Sequence, residues 1–164
     1  KHFSALFVQN GSDGQRATGS LAVLRPGRLR FDYDPPNAIE VIADGNVVAI
    51  RDNRLGTQDV YSIGLTPLKF LLRDTINVEN DAKIIDVKVA GERVIINLED
   101  SSTFGGTSRI TLGFDRQTML LKQWTVTDPQ GYDVSILLTA INLDDAPDPL
   151  LFVVPEKPGT AKTR

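Results

Sequence analysis

The run Leu24-Arg25-Pro26-Gly27-Arg28-Leu29-Arg30-Phe31-Asp32-Tyr33-Asp34-Pro35-Pro36 constrains the fold more than any other stretch, because it joins two alternating segments through a turn. In a strand, alternate side chains share a face. Counting outward by two puts Leu21, Val23 and Arg25 on one side of the first segment. Beyond Pro26-Gly27, Leu29, Phe31 and Tyr33 form an apolar face, and Arg28, Arg30 and Asp32 a charged one. Two adjacent strands, each with one apolar side, require a shared interior. Arg25 stands where that face ends. Either it lies at a solvated rim, the usual place for an arginine, or it follows Leu21 and Val23 inward. An inward guanidinium needs several acceptors to replace its lost water.

The same pattern recurs along the chain as a succession of hairpins. Strands are predicted over 2–9, 16–24, 28–33, 38–43, 47–51, 57–62, 82–89, 93–99, 108–115, 120–127 and 132–142. Asp44-Gly45 is a tight-hairpin signal, since glycine tolerates positive φ. Ile110, Leu112 and Phe114 oppose Arg109, Thr111 and Asp115, and Val134, Ile136 and Leu138 oppose Asp133, Ser135 and Thr139. That alternation describes an antiparallel sheet with one wet face. The period breaks once, at 65–74. There Thr66 suits an N-cap, Pro67 the first helical position, and Leu68, Leu71 and Leu72 recur at helical spacing. A mainly β fold of about eleven strands, curled into a barrel with this helix over its mouth, buries the apolar side that a flat sheet would leave bare.

Composition narrows the function classes. The 164 residues suit one domain spanning 1–164 with a sizeable core. A net charge of -3 with both signs dispersed offers no basic field for nucleic acid, and the absence of cysteine excludes disulfides and thiolate chemistry. No apolar run reaches the roughly 18 residues of a membrane-spanning helix. The chain opens at Lys1-His2-Phe3, without an initiator methionine or signal segment, as expected of a processed or trimmed piece. The only histidine, His2, lies at the start of the chain, which leaves a serine nucleophile without a placed base. No nucleophile elbow, P-loop or dinucleotide fingerprint is present, and Gly105-Gly106-Thr107-Ser108 reads as a hairpin turn. Asp144, Asp145 and Asp148, among Pro147 and Pro149, read as a solvated loop and not as a calcium site or catalytic dyad. No catalytic residue, cofactor or metal is expected. Trp124 alternates with Lys122 and Val126 on a strand, a place for core packing or for a ligand platform.

Taken in order, Phe7-Val8-Gln9, the glycine-rich hairpin after it, Arg25-Pro26 through Phe31, Asp44-Gly45 and Thr66-Pro67 through Leu71-Leu72 carry a family likeness. With the Asp128-Pro129-Gln130-Gly131 turn and the closing Leu151-Phe152-Val153-Val154-Pro155, the chain resembles the LolA family of periplasmic lipoprotein carriers over nearly its whole length. The resemblance implies an unclosed antiparallel β-barrel with a helical lid around an apolar cavity for acyl chains. It implies a monomeric periplasmic chaperone, not an enzyme, carrying acylated lipoproteins from the inner-membrane lipoprotein-release transporter to an outer-membrane acceptor. Arg25 matches the family's lid-latching arginine, which bonds to lid-helix carbonyls. The expected cavity wall comprises Leu21, Val23, Leu29, Phe31 and Tyr33 from the first strands, with Ile110, Leu112 and Trp124 from the later ones. Leu68, Leu71 and Leu72 would cover it from the helix. The family also carries an amphipathic helix before its first strand, whereas this chain starts where that helix should end. A LolB-like outer-membrane receptor, a fold relative that senses lipoproteins, and a lipid or glycolipid binder are the alternative readings.

Overall fold

The computed structural model describes residues 2–66, 82–103 and 105–156. The helix expected after Thr66, with Leu68, Leu71 and Leu72, lies outside the described residues. In the first half the strands are β1 (His2–Gly11), β2 (Arg16–Leu24), β3 (Arg28–Tyr33), β4 (Ile39–Asp44), β5 (Val47–Asp52) and β6 (Thr57–Ser62). The second half supplies β7 (Lys83–Ala90), β8 (Arg93–Thr103), β9 (Gly106–Asp115), β10 (Leu121–Thr127) and β11 (Asp133–Asn142). Short 3-10 helices follow β6, at Ile63–Leu65, and β11, at Pro149–Phe152.

The eleven strands of the described residues form one antiparallel sheet in the order β6-β5-β4-β3-β2-β1-β11-β10-β9-β8-β7. Every neighbour is adjacent in sequence except the pair β1 and β11, which joins the two halves. The barrel is unclosed, with β6 and β7 as its edges. Bulges supply the curvature. Between Ser4 and Leu6 of β1, β11 inserts an extra residue, and Ala140 takes a positive φ of 51° there. Register shifts also interrupt β7 against β8, β8 against β9, and β9 against β10. As a result the 3-10 helix after β6, at one edge, lies against β8, near the other.

Aspartates make the turns. Asp44, Asp52, Asp115 and Asp128 each begin a hairpin loop by accepting from two backbone N–H groups further on: Asn46 and Val47, Arg54 and Leu55, Gln117 and Thr118, Gln130 and Tyr132. These contacts hold the Asp115 carboxyl below its usual range. Gly45, at φ +109°, occupies the turn position that the Asp-Gly signal predicts.

Inside the curl the packing follows strand parity. Leu21, Val23 and Leu29 are all but fully buried, and Phe7 sets its ring edge-on to Phe31 at 5.2 Å and to Tyr33 at 5.1 Å. Gly19 makes that stack possible. A Cβ there would stand 2.8 Å from the Phe7 ring and 2.1 Å from the carbonyl oxygen of Asp32. On the opposite face, Arg30 spans Asp32 at 2.9 Å and Glu40 at 3.1 Å, and Arg51 reaches Glu40 at 3.2 Å and Gln58. Arg30 also donates to the carbonyl of Leu151, and Arg51 to that of Glu156, so this network straps the C-terminal segment onto the sheet. Phe152 is buried there, in a 3-10 helix against β3 and β4 that Asp148 caps through the N–H of Leu150.

The largest departure from the expected strand boundaries lies at the β8–β9 hairpin. β8 runs on to Thr103 and β9 begins at Gly106, because a register shift between Asp100 and Thr103 breaks the alternation in which strands are read. Thr66, extended at φ -118° and ψ 150°, closes the preceding 3-10 helix by donating its hydroxyl to the Ile63 carbonyl.

Candidate functional site

The concave face encloses an open cavity of about 420 Å³. This volume falls within the roughly 300–1,000 Å³ of small-ligand sites. One wall comes from β3 to β6 (Phe31, Tyr33, Val41, Val48, Ile50, Tyr61), with Leu65 and Thr66 closing over it. The facing wall comes from β8 to β11: Ile110, Leu112, Trp124, Val126, Val134 and Ile136 are apolar, and Thr103, Ser108 and Asp128 gather the polar groups. Trp124 meets Phe31 at 6.4 Å between ring centres, so the aromatic stack of the core continues into the cavity. Burial pushes the Tyr33 phenol above its usual pKa, against the opposing pull of its hydrogen bond to Gln9. Toward the β7 edge the same face stays apolar and open. Ile84, Val87 and Val89, opposite Leu98, Ile96 and Val94, are about half exposed.

Of the residues expected around this space, Phe31, Tyr33, Ile110, Leu112 and Trp124 line it together. Leu21, Val23 and Leu29 share the same face but lie behind this lining, packed against other core side chains. Leu68, Leu71 and Leu72 lie outside the described residues. Arg25 also stands apart from the cavity. It is half-buried, with its guanidinium 5.6 Å above the Phe3 ring, so it does continue the face of Leu21 and Val23. Its surroundings form a separate cleft of about 450 Å³ with Phe114, Met119, Leu121, Ile141 and Leu143, sharing no lining residue with the cavity among the described residues.

A curved sheet around an apolar cavity is shared by many binding proteins, so the comparison of sequences decides among them. The family model described as outer membrane lipoprotein carrier protein LolA matches residues 1–155. This chain belongs to the LolA family. Outer-membrane lipoprotein carrier proteins of Nitrosomonas europaea and Chromobacterium violaceum are each 26% identical to it, over 148 and 149 residues. Those matches cover 87% and 88% of this chain and 71% of each relative. Among solved structures, an uncharacterized conserved protein from Thermus thermophilus superposes with a TM-score of 0.53 at 9% identity, covering 96% of this chain and 88% of that one.

Several features of this LolA-family cavity escape strand periodicity. Val41, Val48, Val126, Val134 and Ile136 have the same alternation as the core residues beside them, and only the curl of the sheet decides which of them border open space. Thr103 and Ser108 are hydrogen-bonded at 2.8 Å and both buried; Ser108 closes the Gly105–Ser108 segment read as a turn, and Thr103 lies between the strands expected over 93–99 and 108–115.

Proposed function

We propose that this chain acts in the periplasm as a one-domain carrier, sheltering the acyl chains of lipoproteins against Phe31, Leu112, Trp124 and their neighbours. The open, largely apolar cavity in a LolA-family sheet carries this reading. Burying one methylene is worth about 0.8 kcal/mol, so a sixteen-carbon acyl chain represents roughly 12 kcal/mol. Free cargo in water is therefore negligible. Cargo must pass directly from an inner-membrane release transporter to the carrier, and from the carrier to an outer-membrane acceptor. An intermediate affinity serves that relay better than a maximal one.

Arg25 serves in this reading as the latch of a lid. Closing engages its donors, and opening exposes the apolar wall, including Leu68, Leu71 and Leu72 of the expected lid helix. The half-buried placement of Arg25, with its guanidinium over the Phe3 ring, supports a role in packing contacts.

The test is release of an acylated lipoprotein from transporter-bearing vesicles into the soluble fraction. The unmodified protein should release it, Phe31→Asp should not, and Arg25→Leu should fold normally yet transfer abnormally. Release that is equally efficient with Phe31→Asp would overturn the cavity assignment.

A further inference from the structure

We infer that the polar end of the cavity selects the head group of its ligand, taking an acyl chain linked through a hydrogen-bond donor, such as an N-acyl amide, over a free fatty acid. The inference rests on the acyl-chain reading above and adds to it a specificity set by Thr103, Ser108 and Asp128.

Hydroxyls both donate and accept, so what they offer a ligand depends on where their protons already go. Thr103 donates to the carbonyl of Gly106 at 2.5 Å. Its contact with Ser108 at 2.8 Å must therefore be donated by Ser108. With both protons committed, the two oxygens have only lone pairs left for the cavity that they line. Thr66 and Tyr33, elsewhere on the wall, likewise commit their protons, to the carbonyl of Ile63 and to the Oε1 of Gln9. Asp128 adds a carboxylate. Its Oδ1 accepts from the N–H groups of Gln130 and Tyr132, which fixes the carboxylate at the cavity rim without giving it a proton to donate.

The backbone brings these acceptors together. Gly105 and Gly106, at φ +88° and +133°, turn the tip of the β8–β9 hairpin toward the β10–β11 turn, where Pro129 lies 3.4 Å from a Cβ built on Gly106. Thr103 and Ser108 thus stand beside Asp128 at one end of an apolar trough. An amide N–H or a hydroxyl attached to an acyl chain satisfies this end. A carboxylate meets lone pairs and a like charge, an arrangement that costs affinity.

Three probes with one twelve-carbon chain test the inference: N-methyldodecanamide, N,N-dimethyldodecanamide and dodecanoate. Trp124, the single tryptophan, borders the cavity, so its fluorescence reads binding in the intact protein. On apolar area alone the dimethyl amide should bind about fourfold tighter for its additional methyl group. A hydrogen bond from the N–H to a charged acceptor such as the Asp128 carboxylate favours the monomethyl amide by about ten- to a hundredfold, which reverses that order. The expected result is monomethyl amide tightest and dodecanoate weakest, with the amide preference reduced in Ser108→Ala of unchanged circular dichroism. Equal or tighter binding of the dimethyl amide by the unmodified protein overturns the inference while leaving the acyl cavity standing. Failure of all three probes to bind overturns the cavity reading and the inference together.

Discussion

Replacing Gly19 with alanine tests how tightly the inner face is drawn together. In an ordinary strand this change helps, because glycine costs about 0.5–1 kcal/mol relative to alanine in conformational entropy. Here the added Cβ would fall 2.1 Å from the Asp32 carbonyl oxygen on β3 and 2.8 Å from two carbons of the Phe7 ring. The ring could rotate away, but the carbonyl belongs to backbone paired on both sides, to β2 and to β4. Relief requires β2 and β3 to separate by about an ångström, an overpacking penalty of about 1–3 kcal/mol or more. Net of the entropic gain, Gly19→Ala should destabilise by about 2 kcal/mol and lower Tm by about 6 °C in a chain of this size. Thermal melting monitored by far-ultraviolet circular dichroism measures it. The perturbed stack of Phe7, Phe31 and Tyr33 should also alter Trp124 emission, since Phe31 meets Trp124 directly. An unchanged or raised Tm would refute the close approach and with it the described seating of Phe7.

Other outcomes follow from local geometry. Ala140→Gly should raise stability by about 0.5 kcal/mol, because relief of a left-handed alanine outweighs the added chain entropy, and chemical denaturation would reveal it. Tyr33, with its pKa raised by burial, contributes stability that is complete below the ordinary tyrosine value near 10 and is lost as pH rises through the higher folded value. Denaturation from pH 8 to 11 should therefore show a steeper alkaline loss in the unmodified protein than in Tyr33→Phe. Asp115 has the opposite sign. Its lowered pKa contributes stability above the ordinary carboxylate range that disappears as pH falls through the folded value, so Asp115→Asn should flatten the curve between pH 4 and 2.

The strands and their inward faces were legible because one side of the sheet is buried, which forces a period of two on residues such as Leu29, Phe31 and Ile110. Parity left Arg25 either at a solvated rim or turned inward; it is the fold that continues the face of Val23 to a position above Phe3. Depth within the curl was not legible. Leu21 and Phe31 are cross-strand partners on one face, yet only Phe31 borders open space. That distinction arises from bulges and strand stagger, which depend on contacts between residues far apart in sequence. The hydroxyl pair of Thr103 and Ser108 was hidden by the register shift beside it, and the strap over Arg30 and Arg51 by its long separation from Leu151 and Glu156. The outer-face arginines signalled only a polar surface. Their role as anchors for backbone carbonyls needed the tertiary fold.

The central claim, that the concave cavity holds the acyl chains of a lipoprotein, is tested most directly by a photo-cross-linking residue at Tyr61 on the cavity wall, with Arg109 on the wet face as control. After irradiation in the periplasm, the account predicts an adduct at position 61 that contains an acylated lipoprotein and disappears when the lipoprotein's lipid-bearing cysteine is replaced. An adduct that forms equally with the unacylated protein, or equally from position 109, would contradict it.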